Sequence, residues 1–344
     1  MPADWISAKA KLLPAAAQLF ARDARIFSVG LGWLEGQPVL RVARSTRQRT
    51  ADNWRSDAFV VDDLRVSYRE YDSELTFEAE VSRHVGQTTN TQAGHMAMAC
   101  RPRTLRCGAE VQNFSLDFRA GNLTNSTKTV GTVGCFVRLA SGRLALLSNA
   151  HVLSVDGQAL DRDAVYSGGC YSPKSDNYVA EYVGHARSAL RETSSVHAPD
   201  EDSQDWNDID AATAEILGHV SPEQSIQTKS GAVPLSGVQE ALPGDHIFLK
   251  GSSTGYTEGV VDAVGTIVRV PSQSGGWHWF RRGLSILPRR ASLTQPFTTQ
   301  GDSGAVIVRD GDNAVVGLLF AGNGKLSCAN DMQEVFQALG CSWA

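Results

Sequence analysis

Two glycines flank an Asp-Ser pair at residues 301–304, and this stretch has the composition of a nucleophile turn. A serine hydroxyl is a weak nucleophile unless the backbone presents it, a base accepts its proton and donors face the oxyanion. Gly301 and Gly304 have no Cβ, so the chain can turn sharply and substrate can approach the backbone. We therefore expect Ser303 to be a nucleophile, with the N–H groups of Gly301 and Ser303 as its oxyanion hole. The alternative is an ordinary turn before a strand, because Gly, Asp and Ser are also common turn residues.

A histidine and an acidic pair earlier in the chain supply the other groups that serine chemistry needs. The apolar residues 144–147 predict a strand that delivers His151, and Asp208 and Asp210 stand at the head of a strand of small residues. A histidine can accept the serine proton, and an aspartate can fix the histidine tautomer. Because residues two apart on a strand point to the same face, the spacing leaves both aspartates open as the acid.

The order His, Asp, Ser and the three local motifs resemble the chymotrypsin-like (trypsin-fold) serine peptidases. Ser-Asn-Ala-His-Val-Leu at 148–153 stands where the family has Ala-Ala-His, and Gly-Asp-Ser-Gly at 301–304 matches the nucleophile motif letter for letter. Asp210, followed by Ala-Ala-Thr-Ala, fits the family pattern for the acid better than Asp208 does. The likeness is strongest to bacterial intracellular trypsin-like peptidases, with Gly-Thr-Val-Gly-Cys at 131–135 ahead of the histidine.

The resemblance implies a mostly β fold with two six-stranded antiparallel barrels, the chymotrypsin-like double barrel. A small α+β appendage would precede the barrels, and a helix would close the chain. We expect residues 1–95 to form the appendage, residues 96–227 the first barrel with the histidine and the acid, and residues 228–344 the second barrel with the nucleophile. The length of 344 residues suits about two domains and an addition to them.

The resemblance also implies the activity of a serine endopeptidase that cleaves polypeptides through an acyl-enzyme. Ser303 would attack the scissile carbonyl, and His151 would act first as base and then as acid. Asp210 would stabilise the imidazolium, and no metal or organic cofactor is expected. One alternative is a catalytically silent binding or scaffold protein with the same fold. Latency until a trigger is also open, either a partner or cleavage, and a partner effector protein is one candidate substrate.

The specificity pocket has no clear match to the family pattern. Relatives that cut after Arg or Lys carry an Asp six residues before the nucleophile, and here that residue is Phe297. Phe320 and Gly322 lie on the segment that matches the pocket-wall strand of the family. We favour an apolar pocket on this pattern. Asp331 stands where some relatives place an alternative acid, so a pocket selective for a basic residue stays open.

Composition and charge argue against several other classes of protein. Apolar residues make up 42% and charged residues 20%, as in ordinary soluble proteins. The net charge is −5 and no long basic run occurs, so nucleic acid is not an expected partner. No apolar stretch approaches 18 residues and residues 1–21 do not resemble a signal peptide, so we expect a cytoplasmic protein without a membrane partner. The sequence leaves the oligomeric state open.

The cysteines do not form the pattern of a disulfide-rich secreted protein. Secreted members of the family place a cysteine directly after the histidine, where this chain has Val152, so Cys135 lacks the partner that the resemblance would give it. The cysteines are Cys100, Cys107, Cys135, Cys170, Cys328 and Cys341. We expect all six to be reduced thiols, as in a cytoplasmic protein.

Five further segments have a readable pattern. Residues 4–21 predict a helix that Pro14 kinks or splits, and Glu35-Gly36 predicts the turn of a hairpin. Residues 192–207 are acidic and polar, which predicts a solvated loop, with a calcium site as the alternative. Residues 271–292 predict an inserted loop, and residues 331–339 predict a closing helix.

Overall fold

The computed structural model describes residues 3–46, 60–61, 63–77, 80–83, 103–113, 127–154, 159–168, 178–185, 190–272, 274–289 and 296–344. The elements before residue 100 are α1 (Ala3–Arg22), β1 (Ile26–Leu34), β2 (Gln37–Ser45), β3 (Val60–Val61), β4 (Leu64–Tyr71), β5 (Thr76–Phe77) and β6 (Glu80–Arg83). Those of the next part are β7 (Arg103–Cys107), β8 (Glu110–Asn113), β9 (Thr127–Thr132), β10 (Phe136–Arg138), β11 (Leu144–Ser148), α2 (Ala150–Leu153), β12 (Ala164–Tyr166), β13 (Tyr178–His185), β14 (Trp206–Asn207) and β15 (Ala212–Ile216). The last are β16 (Val220–Thr228), β17 (Gly231–Pro234), β18 (His246–Gly251), β19 (Gly255–Pro271), β20 (Trp277–Pro288), β21 (Val306–Arg309), β22 (Val315–Gly322), β23 (Ser327–Asp331), α3 (Met332–Leu339) and β24 (Ser342–Trp343).

Six antiparallel strands close a barrel in the carboxyl-terminal half. β18 pairs with β19, β19 with β20, β20 with β23, β23 with β22, β22 with β21, and β21 returns to β18. Side chains alternate across a strand, so apolar residues two apart share the inner face. Ile247 and Leu249 on β18 and Leu284 and Ile286 on β20 fill the core in this way.

The first barrel is built from a nine-stranded sheet in the order β24-β10-β11-β15-β13-β12-β8-β9-β6. All of its pairings are antiparallel. Its core continues into that of the second barrel, because Phe136 and Leu146 lie in one buried cluster with Val306 and Leu318. The two halves therefore meet through apolar side chains beside the strands that carry the candidate site.

The amino-terminal strands extend the sheet of the second barrel. β1 pairs with β19, β2 pairs with β1, and β4 lies parallel to β2. Helix α1 packs on these strands through Leu12, Leu19 and Phe20, which are buried with Leu31 and Ile267. Of the two predicted domain boundaries, the one near residue 95 lies outside the described residues, and the division into three parts stays a prediction.

The fold class predicted from the sequence is confirmed: the chain is mostly β, with barrel-like sheets and a helix near each end. The hairpin turn is also confirmed, since Glu35 and Gly36 both have positive φ, at 53° and 77°. Helix α1 is unbroken although Pro14 lies within it. Among the described residues, no helix is long and apolar enough to cross a membrane.

The prediction of an inserted loop at residues 271–292 is wrong. β20 occupies Trp277–Pro288 and pairs along its length with β19. The neighbouring side chains of Trp279 and Phe280 are both buried, so both faces of the strand are covered. Such a strand lacks the alternation of apolar and polar residues that marks a half-exposed strand in a sequence.

Candidate active site

The structure brings His151, Asp210 and Ser303 into one chain of hydrogen bonds. The His151 Nε2 atom lies 2.9 Å from Ser303 Oγ, and Nδ1 hydrogen-bonds Asp210 Oδ2. The His151 backbone N–H also donates to Asp210 Oδ1, at 3.1 Å. Asp210 and Ser303 are fully buried, and only 8% of His151 is exposed. The arrangement connects a hydroxyl, an imidazole and a carboxylate in the order that nucleophilic catalysis requires.

Each of the three residues lies just beyond a strand end. His151 is on α2, directly after β11, and Asp210 is in the link between β14 and β15. Pairing of β11 with β15, with Ser148 opposite Ala212, holds these two ends side by side. Ser303 stands in the turn before β21 and reaches the histidine from the second barrel.

The two candidate acids have different partners. Asp208 accepts a hydrogen bond from Arg281 Nε, at 2.7 Å, and forms an ion pair with that side chain. Asp210 faces His151 and is held through its backbone. Asn149 Nδ2 donates to the Asp210 carbonyl at 2.6 Å, and the Asp210 N–H donates to Asn330 Oδ1 at 3.0 Å. The geometry at the histidine therefore involves Asp210, and Asn330 is a contributor that the sequence analysis missed.

The nucleophile turn needs glycine at two positions. Gly301 has φ 101° and Gly304 has φ 92°, which are strained for any residue with a Cβ. A Cβ on Gly304 would also overlap Ser148 Oγ and the Thr132 carbonyl. Thr132 clamps the turn from the first barrel, because its N–H donates to the Ser303 carbonyl at 2.7 Å and its hydroxyl donates to the Gly301 carbonyl at 2.8 Å.

The N–H groups of this turn differ in their acceptors. The Asp302 N–H donates to the Thr299 carbonyl at 3.1 Å, and the Gly304 N–H donates to the Leu319 carbonyl at 2.9 Å. Within the described part of the chain, the N–H groups of Gly301 and Ser303 donate no backbone hydrogen bond. These are the two donors that the sequence predicted for the oxyanion hole.

Asp302, between Gly301 and Ser303, is surrounded by hydrogen-bond donors. Its carboxylate accepts from the N–H groups of Thr299 (2.9 Å), Ser253 (3.0 Å) and Thr254 (3.1 Å) and from the Thr254 hydroxyl (2.7 Å). Burial raises the pKa of Asp302, and these hydrogen bonds lower it. A Cβ on Gly251 would overlap the carboxylate, so the residue there must be glycine. The end of the β18–β19 hairpin thus holds the nucleophile turn in place by hydrogen bonds and close packing.

The four predicted pocket residues have different surroundings. The Phe320 carbonyl accepts a hydrogen bond from Ser303 Oγ at 3.3 Å, and Gly322 lies two residues further along β22. Phe297 is buried in the second-barrel core. Asp331 is the N-cap of α3, where its Oδ1 accepts from the Gln333 N–H at 2.8 Å, and burial raises its pKa. Phe320 and Gly322 are therefore on the strand beside the serine, whereas Phe297 fills the core and Asp331 caps a helix.

The described cysteines, Cys107, Cys135, Cys328 and Cys341, are free thiols. Burial raises the pKa of Cys107 to about 12 and that of Cys135 well above its usual range, so both thiols are unreactive near neutral pH. Cys100 and Cys170 lie outside the described residues. Among the described residues, no cluster of three or more His, Cys, Asp or Glu side chains could hold a metal ion.

Several solved protease structures are similar to this chain. Protease A of Thermobifida fusca matches 70% of this chain and 97% of its own, at 13% identity and a TM-score of 0.45. A Nocardiopsis protease (15% identity) and a Cellulomonas bogoriensis chymotrypsin (14%) each match 70% of this chain and 98% of their own, both with a TM-score of 0.44. No family model and no curated protein matches the chain. The assignment of function therefore depends on the geometry of the site.

Proposed function

We propose that the protein is a serine endopeptidase with His151, Asp210 and Ser303 as its catalytic residues. The observation that carries the proposal is the unbroken chain of hydrogen bonds from the serine hydroxyl through the imidazole to a buried carboxylate. Because all three side chains are buried, water does not compete for these hydrogen bonds, and the low local dielectric strengthens them. Gly301 completes the group, since its N–H and that of Ser303 are the proposed oxyanion donors.

The reaction proceeds by acylation and deacylation. Ser303 Oγ attacks the scissile carbonyl carbon while His151 Nε2 takes the hydroxyl proton, and Asp210 accepts the Nδ1–H of the resulting imidazolium. The oxygen of the tetrahedral intermediate accepts from the two backbone donors. The C–N bond then breaks as His151 returns the proton to the leaving amine. Water, deprotonated by the same imidazole, hydrolyses the ester and restores the serine.

Polypeptides are the proposed substrates, and β22 supports this choice. Its residues Phe320 to Gly322 run past the nucleophile, so an extended peptide can add to them as a strand. The carboxylate of Asp331 is engaged at a helix cap, and this supports an apolar residue rather than Arg or Lys before the scissile bond. A bacterial cytoplasmic peptidase that cuts a partner effector stays part of the proposal, on the strength of the sequence pattern alone.

The second candidate function is a silent scaffold, and an active-site probe separates the two. A fluorophosphonate reacts only with an activated serine. It should label the wild type at Ser303 but not Ser303→Ala or His151→Ala. Ser272→Ala, at a partly exposed serine on the β19–β20 hairpin, is the matched control and should label like the wild type. Labelling of Ser303→Ala equal to the wild type would end the assignment of the nucleophile.

A further inference from the structure

The strand beside the nucleophile has an edge that the barrel leaves open. On one side β22 pairs with β23 up to Gly322, but on the other side β21 reaches only Leu318. Residues 321 and 322 therefore need another partner. Among the described strands that partner is β5, which runs antiparallel with Phe77 opposite Ala321 and Thr76 opposite Gly322.

The segment Asp72–Phe77, here called the plug segment, has specific contacts on both sides of this pairing. The Thr76 hydroxyl donates to the Gly322 carbonyl at 3.2 Å, and Asn323 Nδ2 donates to the Ser73 carbonyl at 3.0 Å. Leu75 is fully buried in one cluster with Phe320 and Leu326. The plug segment thus packs on Phe320, whose carbonyl accepts a hydrogen bond from Ser303 Oγ.

Buried charge adds to this attachment. Glu74 forms an ion pair with Arg269, at 3.6 Å, and only 2% of the arginine side chain is exposed. By contrast, Asp72 pairs with Lys325 at the surface, where 64% of the lysine side chain is exposed. Exposed ion pairs contribute little to stability, whereas Leu75 and Glu74 are held by buried groups.

The next described strand after the plug segment also leads to the nucleophile turn. β6 follows β5 after two residues and pairs with β9, with Glu80 opposite Val130. β9 ends at Thr132, whose N–H donates to the Ser303 carbonyl. The strands that pair with β5 and β6 therefore both hydrogen-bond to Ser303, which is itself fully buried.

We propose that the plug segment is an internal competitor that holds the peptidase closed. This inference rests on the proposed function, because competition requires a polypeptide substrate. An extended substrate would need the edge of β22 at Ala321 and Gly322, and β5 already occupies it. Catalytic efficiency scales with the fraction of molecules whose edge is open, so displacement of the plug segment activates the enzyme.

Two variants weaken the plug segment by different routes. Leu75→Ala removes its buried anchor, and Thr76→Pro removes an N–H from the paired strand. We expect each to hydrolyse an internally quenched peptide library at least about tenfold faster than the wild type, since the open fraction rises. Lys325→Gln is the matched control, because it removes only the exposed ion pair, and its rate should stay within about twofold.

Hydrogen exchange gives a readout that does not depend on catalysis. Peptides that contain residues 319–323 should exchange faster in both plug variants than in the wild type, because the edge of β22 loses its partner. Faster exchange with hydrolysis at or below the wild-type rate would show that the plug segment is only structural and would overturn the proposal. Unchanged exchange and unchanged hydrolysis in both folded variants would overturn it as well.

Fluorophosphonate labelling separates failure of the competition from failure of the proposed function. If the competition fails, Ser303 is still labelled in the wild type and in the plug variants. If neither the wild type nor Leu75→Ala is labelled at Ser303, the serine is not activated and both proposals fall. Intact mass completes the test, since a wild-type chain found already cut beside the plug segment would overturn its role as an uncut competitor.

Discussion

Asn330 forms a closed pair of hydrogen bonds with the backbone of Asp210: its Oδ1 accepts from the Asp210 N–H at 3.0 Å and its Nδ2 donates to the Asp210 carbonyl at 3.2 Å. The same Nδ2 lies 3.3 Å from the Leu318 carbonyl. Only 3% of Asn330 is exposed. The side chain of Asn330, on a strand of the second barrel, therefore holds the backbone of Asp210, whose carboxylate hydrogen-bonds His151.

Asn330→Ala tests this positioning role. The substitution leaves the buried Asp210 N–H without its acceptor, which costs about 1–3 kcal/mol. Because Asn330 acts through Asp210 and does not contact Ser303, we expect kcat to fall by about 10- to 100-fold while KM changes by less than about twofold. Steady-state kinetics with the most rapidly cleaved peptide measures both. An unchanged kcat in a folded variant would show that the other contacts of Asp210 are sufficient.

Asp210→Asn and Asp208→Asn form a matched pair. Asparagine at 210 cannot accept from His151 in the same way, and loss of the tautomer control in such a triad lowers turnover by roughly 10,000-fold. Asparagine at 208 removes the ion pair with Arg281 and keeps Asp210 as the partner of His151, so we expect a fall of less than about tenfold. Turnover numbers for the two proteins decide the matter. The reverse ranking would mean that Asp208 is the catalytic acid.

Gly251→Ala tests the seat of the nucleophile turn. The added methyl group would overlap the Asp302 carboxylate and shift the turn that carries the oxyanion donors. Loss of one such donor lowers turnover by about 100- to 1,000-fold, and we expect an effect of this size. Gly255→Ala is the control in the same hairpin: it strains a residue with φ 74°, but its methyl group meets no neighbour. If both variants retained full turnover, the contact with Asp302 would not matter for catalysis.

The pH dependence of stability should report the buried carboxylate of Asp302. Burial raises the pKa of Asp302 in the folded protein above the ordinary value of 3.8. At pH values between the unfolded and the folded pKa, the folded protein therefore binds more protons than the unfolded chain. Its contribution to the free energy of unfolding therefore falls as the pH rises through this interval. The unfolding free energy of the wild type minus that of Asp302→Asn should decrease from about pH 3.8 upward and then level off. Urea unfolding at closely spaced pH values measures the difference, and a rise with pH would contradict the assignment.

The sequence predicted the parts of the site that depend on local patterns. Ser303 and His151 each stand in a short motif whose chemistry can be read without knowledge of distant residues. The acid was harder to predict, because Asp208 and Asp210 stand two residues apart before one strand and spacing alone does not distinguish them. In the structure Asp208 is bound by Arg281, 73 residues away along the chain. Pairing at such distances depends on the fold and leaves no local signal.

The same reason explains what the sequence analysis missed. Asn330 acts through the backbone of Asp210 and is not unusual in its own segment. Asp302 belongs to the nucleophile motif, but its hydrogen bonds with Ser253 and Thr254 depend on a distant hairpin. β5 is only two residues long, and its pairing with the distant β22 leaves no signal in residues 76–77. β20 was predicted as a loop because its burial on both faces hides the alternation that marks a strand.

The pairing of β1 with β19 has a consequence for protein engineering. β1 lies along Val264 to Val268 of a strand that also belongs to the second barrel. A chain shortened to begin after β2 would leave this stretch of β19 as a bare edge and would expose Ile267, which is buried beneath α1. Bare, apolar strand edges recruit other chains and drive aggregation. Shortened versions of the protein are therefore expected to precipitate unless they retain residues 3–45.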